Sequence, residues 1–453
     1  MIDIKGKHIV IAGGARSGVA AAILMKEHGA EPFLSDFETI SQSHTKLLDS
    51  KSIRYEQGKH SEEAMTGEFL VLSPGVPSTS PIAKRYVDDG KSIFSEIEVA
   101  GWFNKSPIIA VTGSNGKTSV TNWLAHTWKL AGRDYIIGGN IGTAFSDQVK
   151  YSAPDKEALL EVSSFQLDHI DAFKPFVSMV LNITPDHLDR YQNDFNRYTR
   201  SKLSITKNQG PDDWFIYNYD DPILADHAKK LSEQKSSPRI MAFSNQSEVP
   251  SGAFIRDENL ILKINNKEEN LMQIGEIGLP GQHNLKNGMA TALAARANEI
   301  RNEYIRESLR SFEGVEHRLE LVRTLDGVRY VNDSKATNIN AVWYALDSFS
   351  MPVVLILGGR DKGNDYTELA SQIREKVHTV VAIGEAAKAI KTQLKDVVPN
   401  LVESSSMKAA VKQARRKAKR GEIVLLSPAC SSFDMFEDYK DRGNQFKQAV
   451  LEL

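Results

Sequence analysis

Residues 108–120 read IIAVTGSNGKTSV. An apolar strand runs into a glycine turn, and Gly-Lys-Thr opens the helix beyond it. Backbone N–H groups in such a turn face phosphate oxygens, and the helix N-terminus favours their negative charge. Lys117 is placed to reach the terminal phosphates of a nucleotide, and the Thr118 hydroxyl to bind Mg²⁺. Val111 stands where the G-x-x-x-x-G-K-[ST] pattern has its first glycine, so the turn is a variant of that loop. Strand, loop, Gly-Lys-Thr and helix still follow in the order phosphate binding requires, which an ordinary strand-to-helix turn has no reason to do. The fold class that follows is α/β, with a central P-loop ATPase-like domain on a mainly parallel sheet.

The same alternation extends to both sides. Upstream, KHIVIAGGARSGVAAAILMKEHGAEPFLSDF (7–37) reads as a strand, a glycine turn, an amphipathic helix and a second strand ending at Asp36. A third strand is expected in EFLVLSPGVP (68–77), whose Pro and Gly mark a loop at the ligand-facing end of such a sheet. Downstream, EALLEVSSFQL (157–167) and VSMVLNITPDHLDR (177–190) continue the central unit, and IGLPGQHNLKNGMATALAARANEI (277–300) reads as a turn followed by a helix. From GVRYVNDSKATN (327–338) onward, PVVLILGG, TVVAIG and EIVLLSPA alternate with helical stretches as a third α/β unit. At 453 residues the chain is too long for one ordinary core. Three domains are expected: an N-terminal Rossmann-like domain over 1–95, the central domain over 96–314, and a C-terminal Rossmann-like domain over 315–453.

Bulk properties narrow the function. Hydrophobic residues at 41% and charged residues at 25% describe a globular chain with substantial cores. A net charge of −2 leaves no general attraction for nucleic acid or an anionic membrane, so anionic ligands must be met by local sites. The basic run KQARRKAKR (412–420) is accordingly read as a solvated helix face. Cys430 is the only cysteine, which excludes an intrachain disulfide, and the N-terminal apolar run is too short for a signal peptide or a membrane span. A cytoplasmic protein without membrane insertion is expected.

Taken singly, the other chemical candidates are weaker than the lysine loop. GGARSG (13–18) resembles a dinucleotide fingerprint with Ala15 in place of its second glycine; a nucleotide diphosphate could sit on this helix N-terminus with Asp36 near its ribose or uracil. A nicotinamide-dependent oxidoreductase built on that turn would leave the Lys117 loop and the C-terminal unit unexplained. Glu161 ends an apolar strand, an expensive place for a carboxylate unless a cation or donor meets it. His187 alone reads as a loop or capping histidine, and Lys202 alone as an ordinary helix lysine. The 11 histidines form no H-E-x-x-H pattern for zinc. In the third unit, NDSKATN (332–338), LGGRDKGNDY (357–366) and LLSPACSSFDMFEDYKDRGNQF (425–446) each follow an apolar strand and have the composition of ligand-facing loops. A packed Cys430 is favoured over a catalytic thiol, which would need a base that the sequence does not identify.

In combination and order, VTGSNGKTS, GGNIG, LEVSSFQL, NITPDHLDRY, SKLSI, GQHNLKN, HRLE, NDSKATN, GGRDKG and the long loop at 425–446 resemble the Mur ligase family, in particular its D-glutamate-adding branch. The resemblance runs nearly end to end, and the family's loop, T-G-x-N-G-K-[ST], does not require glycine at Val111. It implies a monomeric ATP-dependent ligase of cytoplasmic peptidoglycan synthesis, acting on UDP-N-acetylmuramoyl-L-alanine and D-glutamate without nucleic acid. For ATP it implies Gly113, Ser114, Asn115, Gly116, Lys117, Thr118, Ser119, Asn284, Asn287, Arg318 and Asp333. For two Mg²⁺ ions it implies Thr118, Glu161, His187 and Lys202, the lysine as a CO₂-derived carbamate; Lys117, Glu161, His187 and Lys202 form its catalytic set. The UDP-sugar is expected on Ala15, Arg16, Ser17, Asp36, Ser73, Gly75, Asn140 and His187. D-Glutamate is expected on Lys335, Thr337, Lys362, Ser432, Phe433 and Tyr439.

Overall fold

The computed structural model describes residues 3–361 and 363–453, and divides into two compact units. The first, Met1–Ile277 with Lys286–Ser311, contains two sheets. Strands β1 (His8–Ala12), β2 (Glu31–Asp36), β3 (Arg54–Gln57), β4 (Leu70–Leu72) and β5 (Ile93–Ser95) form an all-parallel sheet in the order β3-β2-β1-β4-β5. The order reverses beside β1, where the glycine turn leads into the helix Arg16–Glu27. That is where doubly wound sheets place their ligands.

The second sheet holds nine strands: β6 (Ile108–Thr112), β7 (Tyr135–Gly139), β8 (Glu157–Glu161), β9 (Val177–Val180), β10 (Trp214–Asn218), β11 (Arg239–Ser244), β12 (Gly252–Arg256), β13 (Asn259–Ile264) and β14 (Lys267–Gln273). Their order is β14-β13-β12-β11-β10-β9-β6-β8-β7, parallel from β7 to β12 and antiparallel beyond. Every residue of β6, β8, β9 and β10 is buried, as strands covered on both faces must be, and this explains their predominantly apolar sequences. The central position of β6, between β8 and β9, puts the mouth of the Lys117 loop among three strand ends.

The second unit, Gly278–Leu285 with Phe312–Leu453, is built on β15 (Glu320–Leu325), β16 (Val328–Asn332), β17 (Val353–Gly358), β18 (Val377–Ile383), β19 (Asn400–Ser404) and β20 (Ile423–Leu426). The order is β15-β16-β20-β17-β18-β19, with only the β15–β16 pair antiparallel. The basic run lies on the helix Met407–Lys417, which buries Met407, Ala410, Val411 and Ala414 and turns most of its charges outward.

Two features differ from the sequence reading. The strand in EFLVLSPGVP is the fourth, not the third: RYEQ at 54–57 comes before it as an edge strand, exposed or half-buried throughout, with no apolar pattern to reveal it. Strands β12–β14 were also not anticipated. Their two-residue turns, Asp257-Glu258 and Asn265-Asn266, all have positive φ, the geometry that matches the twist of a tight hairpin.

Candidate active site

In the turn after β6, Gly116 has φ 89° and ends the loop as the N-cap of the helix Lys117–Leu130, and as a glycine it brings no side chain of its own to cap the first N–H groups. A Cβ at Gly116 would lie 2.7 Å from Asn287 Oδ1, so both conformation and space require glycine. The open helix end is an anion site by construction. The loop around it is braced: Asn115 N–H donates to Asn182 Oδ1 (2.8 Å), Asn182 Nδ2 to the Asn115 carbonyl (3.1 Å), and Ser114 Oγ to the Thr184 carbonyl (2.8 Å). Lys117 Nζ folds onto the carbonyls of Gly113 (2.7 Å) and Ser114 (2.9 Å), poised above the turn. Thr118 and Ser119 are buried on the first helical turn.

Glu161, at the end of β8, finds the donors that its burial demands. Thr118 Oγ1 donates to Oε2 (2.6 Å) and Asn140 Nδ2 to Oε1 (3.0 Å). Asn140 therefore lies beside Glu161, at the edge of the phosphate loop. Lys202, on the helix Phe195–Leu203, is 2% exposed; its Nζ donates to the Gly113 carbonyl (2.8 Å) and lies 4.8 Å from the centre of the Tyr198 ring. Burial, with Lys117 nearby, holds its pKa well below the ordinary lysine value, against the pull of Asp186, Asp168 and Glu161. His187 adopts φ 53° at the start of a short 3₁₀ turn, with Nε2 3.7 Å from Asp186 Oδ2 and its ring edge-on to Phe165 at 5.2 Å. Lys117, Thr118, Glu161 and Lys202 are thus gathered around one loop, Lys202 and Lys117 sharing the Gly113 carbonyl.

Thr118 and Glu161 offer hard oxygen donors of the kind Mg²⁺ takes together with phosphate oxygens and water. Among the described residues no group of three or more His, Cys, Asp or Glu is arranged to hold a metal, so an ion here would draw on the hydroxyl and on its ligand.

At the N-terminal turn, Gly14 N–H donates to Asp36 Oδ2 at 2.5 Å and the Ser73 hydroxyl to the Gly13 carbonyl at 3.2 Å. Gly18 packs so closely that a Cβ would meet the Gly13 carbonyl at 1.9 Å. Ala15 caps the helix with φ −83°, an extended conformation open to any residue, so the glycine it replaces is not demanded by the backbone. Ala15, Arg16 and Gly75 are exposed and Ser17 half-buried around this mouth; the Arg16 guanidinium hydrogen-bonds the Gly142 carbonyl.

In the second unit, Asp333 is buried just after β16, accepting from Ser427 Oγ (2.8 Å) and from Leu319 N–H (3.3 Å). Burial pushes its pKa up to about 7, with Arg318 opposing. Among the described residues the buried Nε of Arg318 meets no hydrogen-bond partner, and burial, reinforced by Arg318, lowers His283 to about 4. Asn284 donates to the Pro280 carbonyl (2.8 Å). Lys335 extends over the Tyr439 ring (5.4 Å) with Thr337 half-buried nearby in sequence; Ser432 is buried, and Phe433 is 61% exposed. Lys362 lies outside the described residues. Cys430 is buried against the Tyr366 hydroxyl (3.0 Å), and burial pushes its thiol up to about 11, which suits a packed cysteine and not a nucleophile.

Three contributors escaped the sequence reading. Asn182 was visible as the polar residue closing the apolar run of β9, and Tyr198 as the residue four before Lys202 on the same helix face. Arg442 gave no such signal. It is fully buried, donating from Nε to Ser334 Oγ (3.0 Å) and from Nη2 to the Ser334 carbonyl (2.8 Å), whereas an arginine in a polar helix start ordinarily reads as solvated.

Three family models match the chain: MurD N-terminal domain over residues 10–82, Mur ligase middle domain over 111–295, and Mur ligase, glutamate ligase domain over 317–430. A protein of Salinibacter ruber named UDP-N-acetylmuramoylalanine--D-glutamate ligase is 46% identical, over 100% of this chain and 99% of that protein. One of the same name from Christiangramia forsetii is 44% identical, over 99% and 100%. Among solved structures, the UDP-N-acetylmuramate-alanine ligase MurC of Thermotoga maritima aligns with TM-score 0.60 at 18% identity, over 98% of this chain and 99% of that one. The MurF ligase of Thermotoga maritima in complex with ADP aligns with TM-score 0.59 at 15% identity, over 93% and 95%. At these identities the structures speak for the fold, which is the three-domain α/β arrangement expected from the sequence.

Proposed function

The chain belongs to the Mur ligase family, and from that premise we propose that it joins D-glutamate to UDP-N-acetylmuramoyl-L-alanine, converting ATP to ADP and phosphate through an acyl phosphate. The observation that carries the reading is the Thr118–Glu161 contact at the open helix end beneath Lys117. It brings an anion cradle, a lysine ammonium and a hard-oxygen pair together at one helix end. We assign domain boundaries at 95/96 and 314/315, since the three sheets occupy 8–95, 108–273 and 320–426. The enzyme is proposed to act in the cytoplasm as a monomer, without nucleic acid; no described helix is long and apolar enough to cross a membrane.

In this mechanism the turn Gly113–Gly116 and Ser119 hold the ATP phosphates, and Lys117 swings from its loop carbonyls onto the β- and γ-phosphates. Asn287, beside Gly116, and Asn284 are assigned to the adenine end or the phosphates of the nucleotide, Arg318 to the phosphates and Asp333 to the ribose. Thr118 and Glu161 would hold Mg²⁺, which when bound neutralises charge on the transferring phosphoryl group. Ala15, Arg16, Ser17, Asp36, Ser73, Gly75 and Asn140 orient the UDP-sugar so that its free carboxylate attacks the γ-phosphorus and ADP leaves. A carboxylate is a poor acylating agent, and phosphorylation creates its leaving group. The D-glutamate amine, held through Lys335, Lys362, Thr337, Ser432, Phe433 and Tyr439, then attacks the acyl carbon, loses a proton and expels phosphate. His187 is assigned to orient that amine or take its proton.

Lys202 is assigned as a carbamate serving, with His187, a second Mg²⁺. An ammonium cannot ligate a metal, whereas a carbamate offers two oxygens. Its depressed pKa supports this assignment, because only the neutral amine adds to CO₂.

Phosphate release by the purified protein with ATP, Mg²⁺ and UDP-N-acetylmuramoyl-L-alanine, across D-glutamate, L-glutamate, L-alanine and a diamino acid, tests the function. Turnover with D-glutamate and a product heavier by one glutamyl residue is expected. Turnover with another amino acid alone would overturn the assigned specificity while leaving the ligase chemistry.

A further inference from the structure

The loop Pro74-Gly75-Val76, just past β4, and the segment His187–Tyr191, just past β9, belong to different sheets of the first unit, yet one side chain joins them. Arg190 Nη2 donates to the carbonyls of Pro74 (3.2 Å) and Val76 (3.1 Å), and Nη1 to that of Gly75 (3.4 Å). Three successive carbonyls converging on one head group call for a planar fork of donors, which arginine has and lysine lacks. The other face of the guanidinium lies over the Phe165 ring, 4.3 Å from its centre. That same ring meets the His187 imidazole edge-on at 5.2 Å and stacks with Tyr191 at 5.9 Å.

The backbone makes a second link. Arg190 N–H donates to the His187 carbonyl at 3.0 Å, closing the short turn that holds His187 at φ 53°. Gln192 and Asn193, two residues further on, also have positive φ. Non-glycine residues persist in this region only where their surroundings over-determine them, so the segment depends on its braces. Arg190 braces it from the side of the sugar-nucleotide loop.

We infer that Arg190 is a positioning residue that couples the UDP-sugar loop at Gly75 to the placement of His187, through the Phe165 ring and its own backbone. The inference rests on the assignment of Gly75 and His187 made above. Arg190 itself need not touch the reacting atoms. It fixes the loop carbonyls, so that the sugar nucleotide meets a formed surface, and the same guanidinium sets the ring against which His187 packs.

The test compares wild type, Arg190→Ala, Arg190→Lys and Phe165→Leu, varying each of the three substrates in turn and measuring UDP-N-acetylmuramoyl-L-alanine binding by calorimetry. Removing charge-assisted hydrogen bonds of this kind is expected to raise KM for the UDP-sugar about tenfold or more. KM for ATP should stay within about twofold, as Arg190 clasps the carbonyls of Pro74, Gly75 and Val76, whereas Lys117 folds onto those of Gly113 and Ser114. Arg190→Lys, with one ammonium for three carbonyls, should recover only part of the loss. Phe165→Leu should lower kcat with a smaller rise in the KM for the UDP-sugar, because it breaks the link to His187 and leaves the carbonyl clasp. Should Arg190→Ala not fold, the split in KM is read from Arg190→Lys. Equal changes in all three KM values, or none in variants that fold, would overturn the inference. A wild-type protein that neither binds nor turns over the UDP-sugar would instead overturn the functional reading on which it rests.

Discussion

Two glycine-bearing strand–turn–helix units of the first compact part, after β1 and after β6, differ in what surrounds the helix end. After β6 the turn is ringed by groups suited to phosphate and its metal: Lys117 folded over it, Thr118 bonded to Glu161, and Lys202 buried behind it. After β1 the turn meets a carboxylate instead, with Asp36 accepting from Gly14 N–H and Ser73 from below tying down Gly13. Among the described residues, the hydrogen bonds that hold the second turn come from Asp36, Ser73 and Arg16 rather than from a lysine. Both ends carry the positive pole of a helix and can receive a phosphate group. The first adds a lysine folded over the turn and a carboxylate bonded to the hydroxyl of the helix's first turn, the combination that phosphoryl transfer calls for and that holding a nucleotide still does not.

Lys117→Ala gives the sharpest break. It should lower turnover by about a thousandfold or more while leaving UDP-sugar affinity near that of wild type. A matching loss of affinity in calorimetry would mean the two turns do not divide the work in this way. Lys202→Ala and Lys202→Arg should each lose about a hundredfold or more, and wild-type activity should fall in CO₂-depleted buffer and return with bicarbonate. Full activity in either variant would remove the carbamate from the account.

A smaller effect concerns the joint between the two sheets. Glu96, buried just after β5, accepts Ser146 N–H at 2.6 Å, and burial pushes its pKa up from 4.5 to about 7. Between those values the folded protein keeps a proton that the unfolded chain has shed. Stability from this group is therefore greatest below pH 4.5 and falls as pH rises through about 7. Glu96→Gln cannot ionise, so its stability relative to wild type should improve from pH 5 to pH 8, by up to about 3 kcal/mol. Thermal melts showing the same difference at both pH values would contradict this. Ala15→Gly should do least: the extended φ at Ala15 does not call for glycine, so kinetics should stay within about twofold and stability should drop by about 0.5 kcal/mol. A large gain in UDP-sugar affinity would show that the Ala15 methyl holds the diphosphate off.

Much of this comparison was legible in the chain itself, because both turns sit between apolar strands and helices of clear periodicity. The buried strands β6, β8 and β9 announce themselves by predominantly apolar runs, and Gly-Lys-Thr marks the helix start that follows β6. Edge strand β3 did not, since RYEQ faces solvent and has no pattern to betray it. The hairpins β12–β14 carried a signal that went unused in Asn265-Asn266, both at positive φ. Within the site, the sequence could nominate Lys202 only through family resemblance; its burial and its contact with Gly113 arise from packing of residues 89 positions apart. Arg442 and Arg190 were invisible for the same reason, as each satisfies its charge on carbonyls or hydroxyls supplied by distant loops.

The division of labour between the two turns requires that the carboxylate of the substrate held at the turn after β1 accept the phosphoryl group released at the turn after β6. UDP-N-acetylmuramoyl-L-alanine labelled with ¹⁸O in its free carboxylate, turned over with ATP and D-glutamate, follows that atom directly. The account predicts one ¹⁸O in each phosphate released, because the acyl phosphate breaks between the acyl carbon and the bridging oxygen. Phosphate free of the label, with the amide product still formed, would contradict it.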